Sequence, residues 1–176
     1  MIGPGIAYGY LERTRTTLFD AVRPLDDRDW HREFEIGPRS LSRTFTHLLV
    51  AEWYYVRRMK CERVPAYEDW PIDENDPPSF ARFESLRAAQ SAETTEFVES
   101  VEDWDQTLRY EVDDDHGRLN RVRTTLGGMF TQLVLNEVHH RAQALNMLRR
   151  LDVALPDLDF NAVMFDRTIV ARGDAS

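Results

Sequence analysis

The stretch Leu126–Leu151, LGGMFTQLVLNEVHHRAQALNMLRRL, decides the fold of this chain. Residues three or four positions apart in it form one stripe on an α-helix, and such a stripe faces a core. Asn136 and His140 lie one turn apart on that stripe, where burial without partners would cost free energy. The sequence therefore predicts either a metal ion or a hydrogen-bond network at this point. The full stripe is Met129, Leu133, Asn136, His140, Ala144, Met147 and Leu151.

Three other segments repeat this periodicity and predict further long helices. They are Ile6–Val22, Ser40–Cys61 and Ser79–Val101. Strand-like alternation at 108–112, followed by turn residues, predicts a short β-hairpin before the last helix. The proline-rich, acidic segment Glu62–Pro78 is expected to be a loop that acts as a lid or rim. No repeat or linker divides residues 1–176, so we expect a single all-α domain, a four-helix bundle with one small hairpin.

The composition limits the partners of this chain. Its 22 Lys and Arg residues against 31 Asp and Glu residues give a net charge of −9. We therefore expect neither nucleic acid nor an anionic membrane surface as a partner, because both require a basic face. Cys61 is the only cysteine, so no intrachain disulfide can form. With no secretory leader or membrane-spanning run apparent, we expect a cytoplasmic protein.

Two of the five histidines, His47 and His140, lie on helices that are expected to face each other. Imidazole is the commonest metal-binding side chain, and bundles build metal sites from facing helices. A histidine beside an apolar face is also often a hydrogen-bonded core group, so the spacing leaves both interpretations open. Successive helical residues point about 100° apart, so we expect His139 beside the site or in solvent. His31 and His116 fall in connectors, where solvated side chains are expected.

Two segments resemble the DinB-like family, a set of four-helix-bundle proteins. They are HLLVAEWYYVRR at 47–58 and NEVHHRAQALNMLRRLDVALPDLDF at 136–160. The second is similar to the family's HxxxHRGQ-type stretch, which is followed by LR, a turn, a proline and an aspartate. The resemblance covers the organisation of almost the whole chain, and the last helix is its most specific part.

The resemblance implies a divalent metal ion, such as Zn, Ni, Mn or Fe. One histidine of the second helix and two residues four apart on the last helix would hold it, which places the ligands at His47, Asn136 and His140. Relatives with assigned activity are metal-dependent transferases or isomerases that use a low-molecular-weight thiol. The resemblance therefore implies a small-molecule substrate, such a thiol as cosubstrate, and a homodimer.

Asn136 departs from the family pattern, which has histidine, or glutamate in some thiol-dependent relatives. An amide oxygen is a neutral, weak ligand that suits Zn²⁺ poorly. The adjacent Glu137 is expected to point away from the site, because the helix turns about 100° per residue. Three outcomes stay open: a weaker site completed by water, a site that recruits a carboxylate such as Glu52, or no metal. The last corresponds to an alternative function, a non-catalytic small-molecule binder or dimeric structural bundle with a degraded site.

Three residues near these candidates also have expected roles. Arg141 either orients an anionic substrate or pairs with Glu137 one turn earlier. Gln143 is expected to hydrogen-bond a metal ligand and so fix its orientation. Glu52 is either a recruited ligand or the ion-pair partner of Arg57 or another basic side chain.

Overall fold

The computed structural model describes residues 2–114 and 116–168. These residues are mostly helical and include one small antiparallel sheet. The elements are α1 (Pro4–Val22), α2 (Asp27–His31), α3 (Leu41–Met59), α4 (Phe80–Ser100), β1 (Thr107–Asp113), β2 (Leu119–Thr125), α5 (Leu126–Arg150) and α6 (Phe160–Met164). The predicted long helices and hairpin are all present, with ends shifted by at most two residues. No helix in the described ranges is both long and apolar enough to cross a membrane.

The starts of α3 and α5 follow from the side chains that precede them. Ser40 Oγ accepts a hydrogen bond from the Arg43 amide at 3.1 Å, and Thr125 Oγ1 accepts one from the Gly128 amide at 3.0 Å. Each bond satisfies an amide that the first turn of a helix leaves without a backbone partner. The two helices that carry the candidate ligands are therefore fixed at their beginnings.

The hairpin leads directly into α5. Its strands pair antiparallel from Thr107 opposite Thr125 to Asp113 opposite Leu119. Gly117 in the turn has a φ of 69°, which a residue without a side chain adopts at little cost. Because Thr125 both ends β2 and caps α5, the hairpin sets the position at which α5 begins.

The four long helices pack in a ring, in which α3 and α1 each contact both α4 and α5. Two apolar clusters fill the interior, one near each end of these helices. The first cluster includes Leu18, Phe45, Phe83 and Met147. The second includes Leu11, Val56, Val98 and Leu133. Each long helix contributes to both clusters, so the two clusters together hold the ring closed.

Buried polar residues separate the two apolar clusters. Every long helix carries buried polar residues between a residue of one cluster and a residue of the other. We call this set the polar layer: Thr14 and Arg15 of α1, Glu52 of α3, Arg87, Gln90 and Thr94 of α4, and Glu137 and Arg141 of α5. A charged layer in the middle of the core requires that its members be partners for one another.

The connector after α1 and the tail after α5 pack onto the long helices. Trp30 of α2 is buried and stacks on Phe45 at a centroid distance of 5.8 Å. In the tail, Leu158 is buried and its carbonyl accepts a hydrogen bond from the Tyr10 hydroxyl at 2.7 Å. The Tyr10 ring also lies 5.1 Å from that of Phe160. Both segments therefore pack against the long helices.

Candidate metal centre

His47 of α3 and His140 of α5 meet between their two helices. Their ring centroids are 4.4 Å apart, and the rings are inclined at 66°. Both side chains are half-buried. The structure thus brings together the two imidazoles that the sequence paired, at the contact between the two helices that cross there.

Each of the two rings has an oxygen acceptor at its Nδ1 atom. His47 Nδ1 lies 3.1 Å from Glu74 Oε1, and His140 Nδ1 lies 2.8 Å from Gln143 Oε1. A carboxylate or amide oxygen only accepts, so each Nδ1 donates and carries a proton. In the neutral ring this leaves the lone pair on Nε2, the atom free to bind a metal ion or take a proton.

Gln143 connects His140 to His139. Its Nε2 lies 3.1 Å from His139 Nε2, so the amide bridges the two rings of the HH pair. Gly37 makes this arrangement possible, because a Cβ built on it would lie 2.2 Å from Gln143 Oε1. The exposed His139 therefore supports His140 from outside, and the predicted hydrogen bond from Gln143 to a candidate ligand is formed.

The surroundings of His140 favour its neutral form. Burial lowers the pKa of His140 below its ordinary value of 6.5, and the nearby His47 and His139 lower it further. The hydrogen bond to Gln143 opposes this effect without reversing it. A neutral imidazole is the form that binds metal ions, so His140 is in the metal-binding form at neutral pH.

The donor set fits a divalent ion through two imidazoles and is weak at the third position. Asn136 lies one turn before His140 and is half-buried. Its amide can supply only a neutral oxygen, as the sequence indicated. Within residues 2–114 and 116–168, no group of three or more His, Cys, Asp and Glu side chains is arranged to hold a metal ion.

A small cavity of about 230 Å³ opens beside His47. It is lined by Pro38, Arg43, His47, Glu74 and Asn75. The segment that follows α3 supplies Glu74, so this loop covers the site as a rim, as predicted. Access to the histidines from this side therefore passes the Glu74 carboxylate and the Arg43 side chain.

Comparison with known proteins identifies the family of this chain. A model of the DinB family matches residues 5–168. The chain belongs to the DinB family. Among solved structures, a DinB-like protein from Bacillus cereus superposes with a TM-score of 0.56 at 17% sequence identity, over 85% of this chain and 95% of that one. No curated protein matches the sequence.

In this DinB-family chain the fully buried polar residues of α5 are Glu137 and Arg141. Asn136 and His140 lie half-buried at the edge of the buried face, so the predicted stripe is displaced by one residue in the middle of the helix. Glu137 points away from the histidine pair, as expected, but towards the interior, where both of its oxygens accept from Arg15. The buried positions of α5 continue at helical spacing from Leu133 to Glu137 and Arg141. Both charged side chains can be buried there because they have partners inside the protein.

Arg15 is the main partner of Glu137. Its Nε and Nη2 atoms donate to the two Glu137 oxygens at 3.0 and 2.9 Å, and Nη2 also donates to Glu52 Oε2 at 2.6 Å. Burial disfavours a charge on Arg15, but Glu137 and Glu52 outweigh it and raise the pKa of Arg15 well above its ordinary value. Arg15 is therefore charged and joins α1 to both α3 and α5.

Glu52 is committed to the polar layer and does not join the histidines. Its Oε1 accepts from Tyr8 Oη at 2.7 Å and from Thr94 Oγ1 at 2.6 Å. Arg87 Nη1 lies 3.0 Å from the same oxygen as an ion pair. Of the two interpretations of Glu52, recruitment as a metal ligand is wrong, and ion pairing with basic side chains is confirmed, with Arg15 and Arg87 as the partners. Arg57 pairs with other carboxylates.

Arg141 is held by hydroxyl groups of α1. It donates to Thr14 Oγ1 at 2.7 Å and to Tyr10 Oη at 2.6 Å. Its guanidinium also lies over the Tyr10 ring, 4.8 Å from the centroid. The predicted ion pair between Arg141 and Glu137 is thus replaced by contacts between helices.

Sequence reasoning missed Glu74 and Arg15. Glu74 lies in an irregular loop, and no periodicity relates such a residue to His47. Arg15 did carry a usable pattern, since it lies four residues after Leu11 and three before Leu18 on the buried face of α1. A basic residue at that position, with Glu52 and Glu137 on other buried faces, indicates an internal ion-pair network.

Proposed function

We propose that His47 and His140 bind a divalent metal ion through their Nε2 atoms, with Asn136 as a weaker third ligand. The proposal is supported by the 4.4 Å separation of the two rings. It is also supported by the acceptors at both Nδ1 atoms, which leave the metal-binding nitrogens free. The ion would be Zn, Ni, Mn or Fe, with water at its remaining positions.

The function that best fits this site is a metal-dependent enzyme acting on a small molecule, with a low-molecular-weight thiol as cosubstrate. A bound divalent ion would supply Lewis acidity, which lowers the pKa of a thiol and stabilises its thiolate. Glu74 and Gln143 would hold the two imidazoles in one tautomer and orientation. Arg43, at the cavity beside His47, would attract an anionic substrate.

The remaining parts of the proposal concern assembly and location. The ring of α1, α4, α3 and α5 supports a four-helix bundle of the DinB type. Exposed apolar side chains on α1 and α5, among them Ile6, Leu135 and Val138, support a homodimer. The single cysteine, Cys61, accords with the reducing conditions of the cytoplasm.

One observation favours an alternative, a non-catalytic small-molecule binder or structural dimer whose metal site has degraded. The described residues offer no third His, Cys, Asp or Glu suited to a shared ion. In that protein the two histidines would be structural groups at the contact of α3 and α5, held by their hydrogen bonds to Glu74 and Gln143. Their substitution would change stability alone.

Metal analysis of protein purified without an affinity tag tests the proposal. We expect divalent metal to bind the wild type, and His47→Ala or His140→Ala to lower occupancy by about tenfold or more. Asn136→His should raise occupancy, because imidazole is a stronger ligand than an amide. His116→Ala, on the hairpin turn away from the site, is the matched control and should bind like the wild type.

If neither the wild type nor Asn136→His takes up metal, the enzyme proposal fails and the alternative holds. If metal binds, turnover of electrophiles with a panel of low-molecular-weight thiols is the second measurement. Activity that persists after metal removal would contradict the proposed role of the histidines.

A further inference from the structure

A second and larger cavity lies two turns away from the histidines. Its volume is about 560 Å³, within the range of small-molecule sites. Tyr54, on its wall, follows His47 on the same side of α3, roughly 10 Å along the helix axis. The cavity is enclosed by α3, the loop after it and the hairpin. The lining residues that matter here are Tyr54, Arg58, Tyr67, Trp70, Asp113 and Asp114.

Aromatic rings form one wall of this cavity. Trp70 stacks on Tyr54 with centroids 5.4 Å apart and planes inclined at 28°, and Tyr67 lies 4.8 Å from Trp70. The Trp70 indole donates to the Pro65 carbonyl at 3.1 Å, which fixes the ring within the loop. Such a wall offers flat apolar surface against which another ring can stack.

Arg58 supplies a positive charge at the base of this wall. Its guanidinium lies 5.1 Å from the centroid of Tyr54 and 4.7 Å from that of Tyr110. Its Nε atom is buried and has no hydrogen-bond partner in the described part of the chain. Stacking between two rings orients the guanidinium but gives it no acceptor, whereas a carboxylate matches its planar donors in number and geometry.

The hairpin places negative charge on another side of the cavity. Asp114 accepts from Arg118 at 2.7 Å, whereas Asp113 is exposed and has no ion pair with any residue of the described ranges. The lining therefore combines a ring-stacking wall, a guanidinium whose Nε has no acceptor among the described residues, and an exposed carboxylate. A neutral or singly charged ligand would leave at least one of these groups unmatched.

We propose that this cavity binds a small aromatic zwitterion, an aromatic amino acid or a short peptide containing one. The ring stacks on Trp70, the carboxylate pairs with Arg58 and the ammonium group pairs with Asp113. Neither the metal ion nor the thiol chemistry proposed above is needed for this binding, so each proposal can fail without the other.

Calorimetric titration of metal-free protein tests this assignment. The probes are L-phenylalanine and glycyl-L-phenylalanine, which place the ammonium group at two distances from the carboxylate. Phenylpropionate, phenethylamine and L-leucine each lack one of the three features. We expect saturable binding of at least one zwitterion at millimolar concentration or below, and binding weaker by about tenfold for each incomplete probe. Absence of binding by both zwitterions overturns the proposal.

Variants locate the binding. Arg58→Gln and Trp70→Leu should each weaken binding of the zwitterion by about tenfold. Arg82→Gln removes an equal charge from the exposed face of α4 and should leave binding unchanged. Thermal unfolding verifies that each variant is folded. If Arg58→Gln does not fold, Asp113→Asn on the exposed hairpin carries the test: it should weaken the zwitterion and leave phenylpropionate unaffected. Equal binding of both zwitterion and phenylpropionate to wild type overturns the assignment.

Discussion

The polar layer and the histidine pair lie on the same two helices, but the protein satisfies them differently. In the polar layer, both Glu137 oxygens accept hydrogen bonds from Arg15, and Glu52 accepts hydrogen bonds from side chains of α1 and α4. At the histidine pair, the partners found among residues 2–114 and 116–168 are all on the Nδ1 side of each ring. Polar groups on a helix face therefore do not by themselves indicate a ligand. What distinguishes a candidate site is the lone pair that the protein leaves free.

The two regions should also differ in their contribution to stability. Charges removed from water gain little net free energy from pairing, but the loss of one partner leaves the other exposed to the full cost of burial. The half-buried histidines can exchange a lost partner for water. Substitution should therefore disrupt folding at the polar layer and mainly alter binding at the histidine pair.

The largest expected effect comes from Arg15→Met. It leaves the buried Glu137 without a cation, so we expect the free energy of unfolding to fall by about 3–5 kcal/mol in urea denaturation. Arg23→Met is the matched control, because Arg23 makes two ion pairs but its side chain is 54% exposed. Exposed pairs contribute little, and we expect the control to lose at most about 1 kcal/mol.

A double variant sharpens this test. Glu137→Leu added to Arg15→Met removes the buried carboxylate that has lost its cation. The double variant should therefore lose about 1–3 kcal/mol less free energy of unfolding than the sum of the two single variants. Equal losses for Arg15→Met and Arg23→Met would contradict the distinction between a buried layer and surface pairs.

An intermediate effect is expected from Gly37→Ala. Gly37 has a φ of 49°, and an added Cβ would meet the Gln143 amide. Gly117→Ala is matched in backbone, with a φ of 69°, but its Cβ would have no heavy atom within 4 Å. We expect each variant to lose about 1 kcal/mol from backbone strain, measured by thermal unfolding.

Only Gly37→Ala should also disturb the histidines, because it displaces Gln143 from His140. The measurement is the set of imidazole signals in NMR spectra of metal-free protein. Unchanged His140 and His139 signals in Gly37→Ala would show that Gln143 does not position these rings.

The smallest effect concerns pH. Because burial lowers the pKa of His140 below 6.5, its NMR titration in metal-free protein should have a midpoint below that value. The folded protein then binds this proton less readily than the unfolded chain. The contribution of His140 to the free energy of unfolding is fully present above pH 6.5 and is lost as pH falls through the lowered pKa. His140→Gln should remove this part of the pH dependence, and a midpoint above 6.5 would contradict it.

The sequence predicted the helices and the hairpin, because these follow from local periodicity. The meeting of His47 and His140 was predicted from the expected packing of their helices and from the family resemblance. The sequence did not predict which residues of α5 are most buried. The burial of Glu137 and Arg141 was not predicted, since the Arg15 and Tyr10 groups that compensate them are more than 120 residues away in sequence. The spacing of Arg15 places it on the buried face of α1, but its pairing with Glu137 depends on how the helices assemble.

Glu74 escaped prediction for a different reason. It lies in a loop whose composition indicates irregular backbone but gives no direction for any side chain. Asn136 could not be interpreted for a third reason, because an asparagine that replaces histidine as a weak ligand and one that marks a lost site are the same residue in the sequence. Asn136 is half-buried, one turn before His140, and metal analysis of Asn136→His distinguishes the two cases.

The contact between α1 and the tail has a consequence for biosynthesis. Tyr10 reaches Leu158 and Arg13 reaches the Val163 carbonyl, across 148 and 150 positions of the chain. A nascent polypeptide cannot complete these contacts until residues 158–163 have left the ribosome. Although α1 is synthesised before α2–α6, it is therefore among the last to reach its native environment, and slow elongation would leave its apolar face open to chaperones.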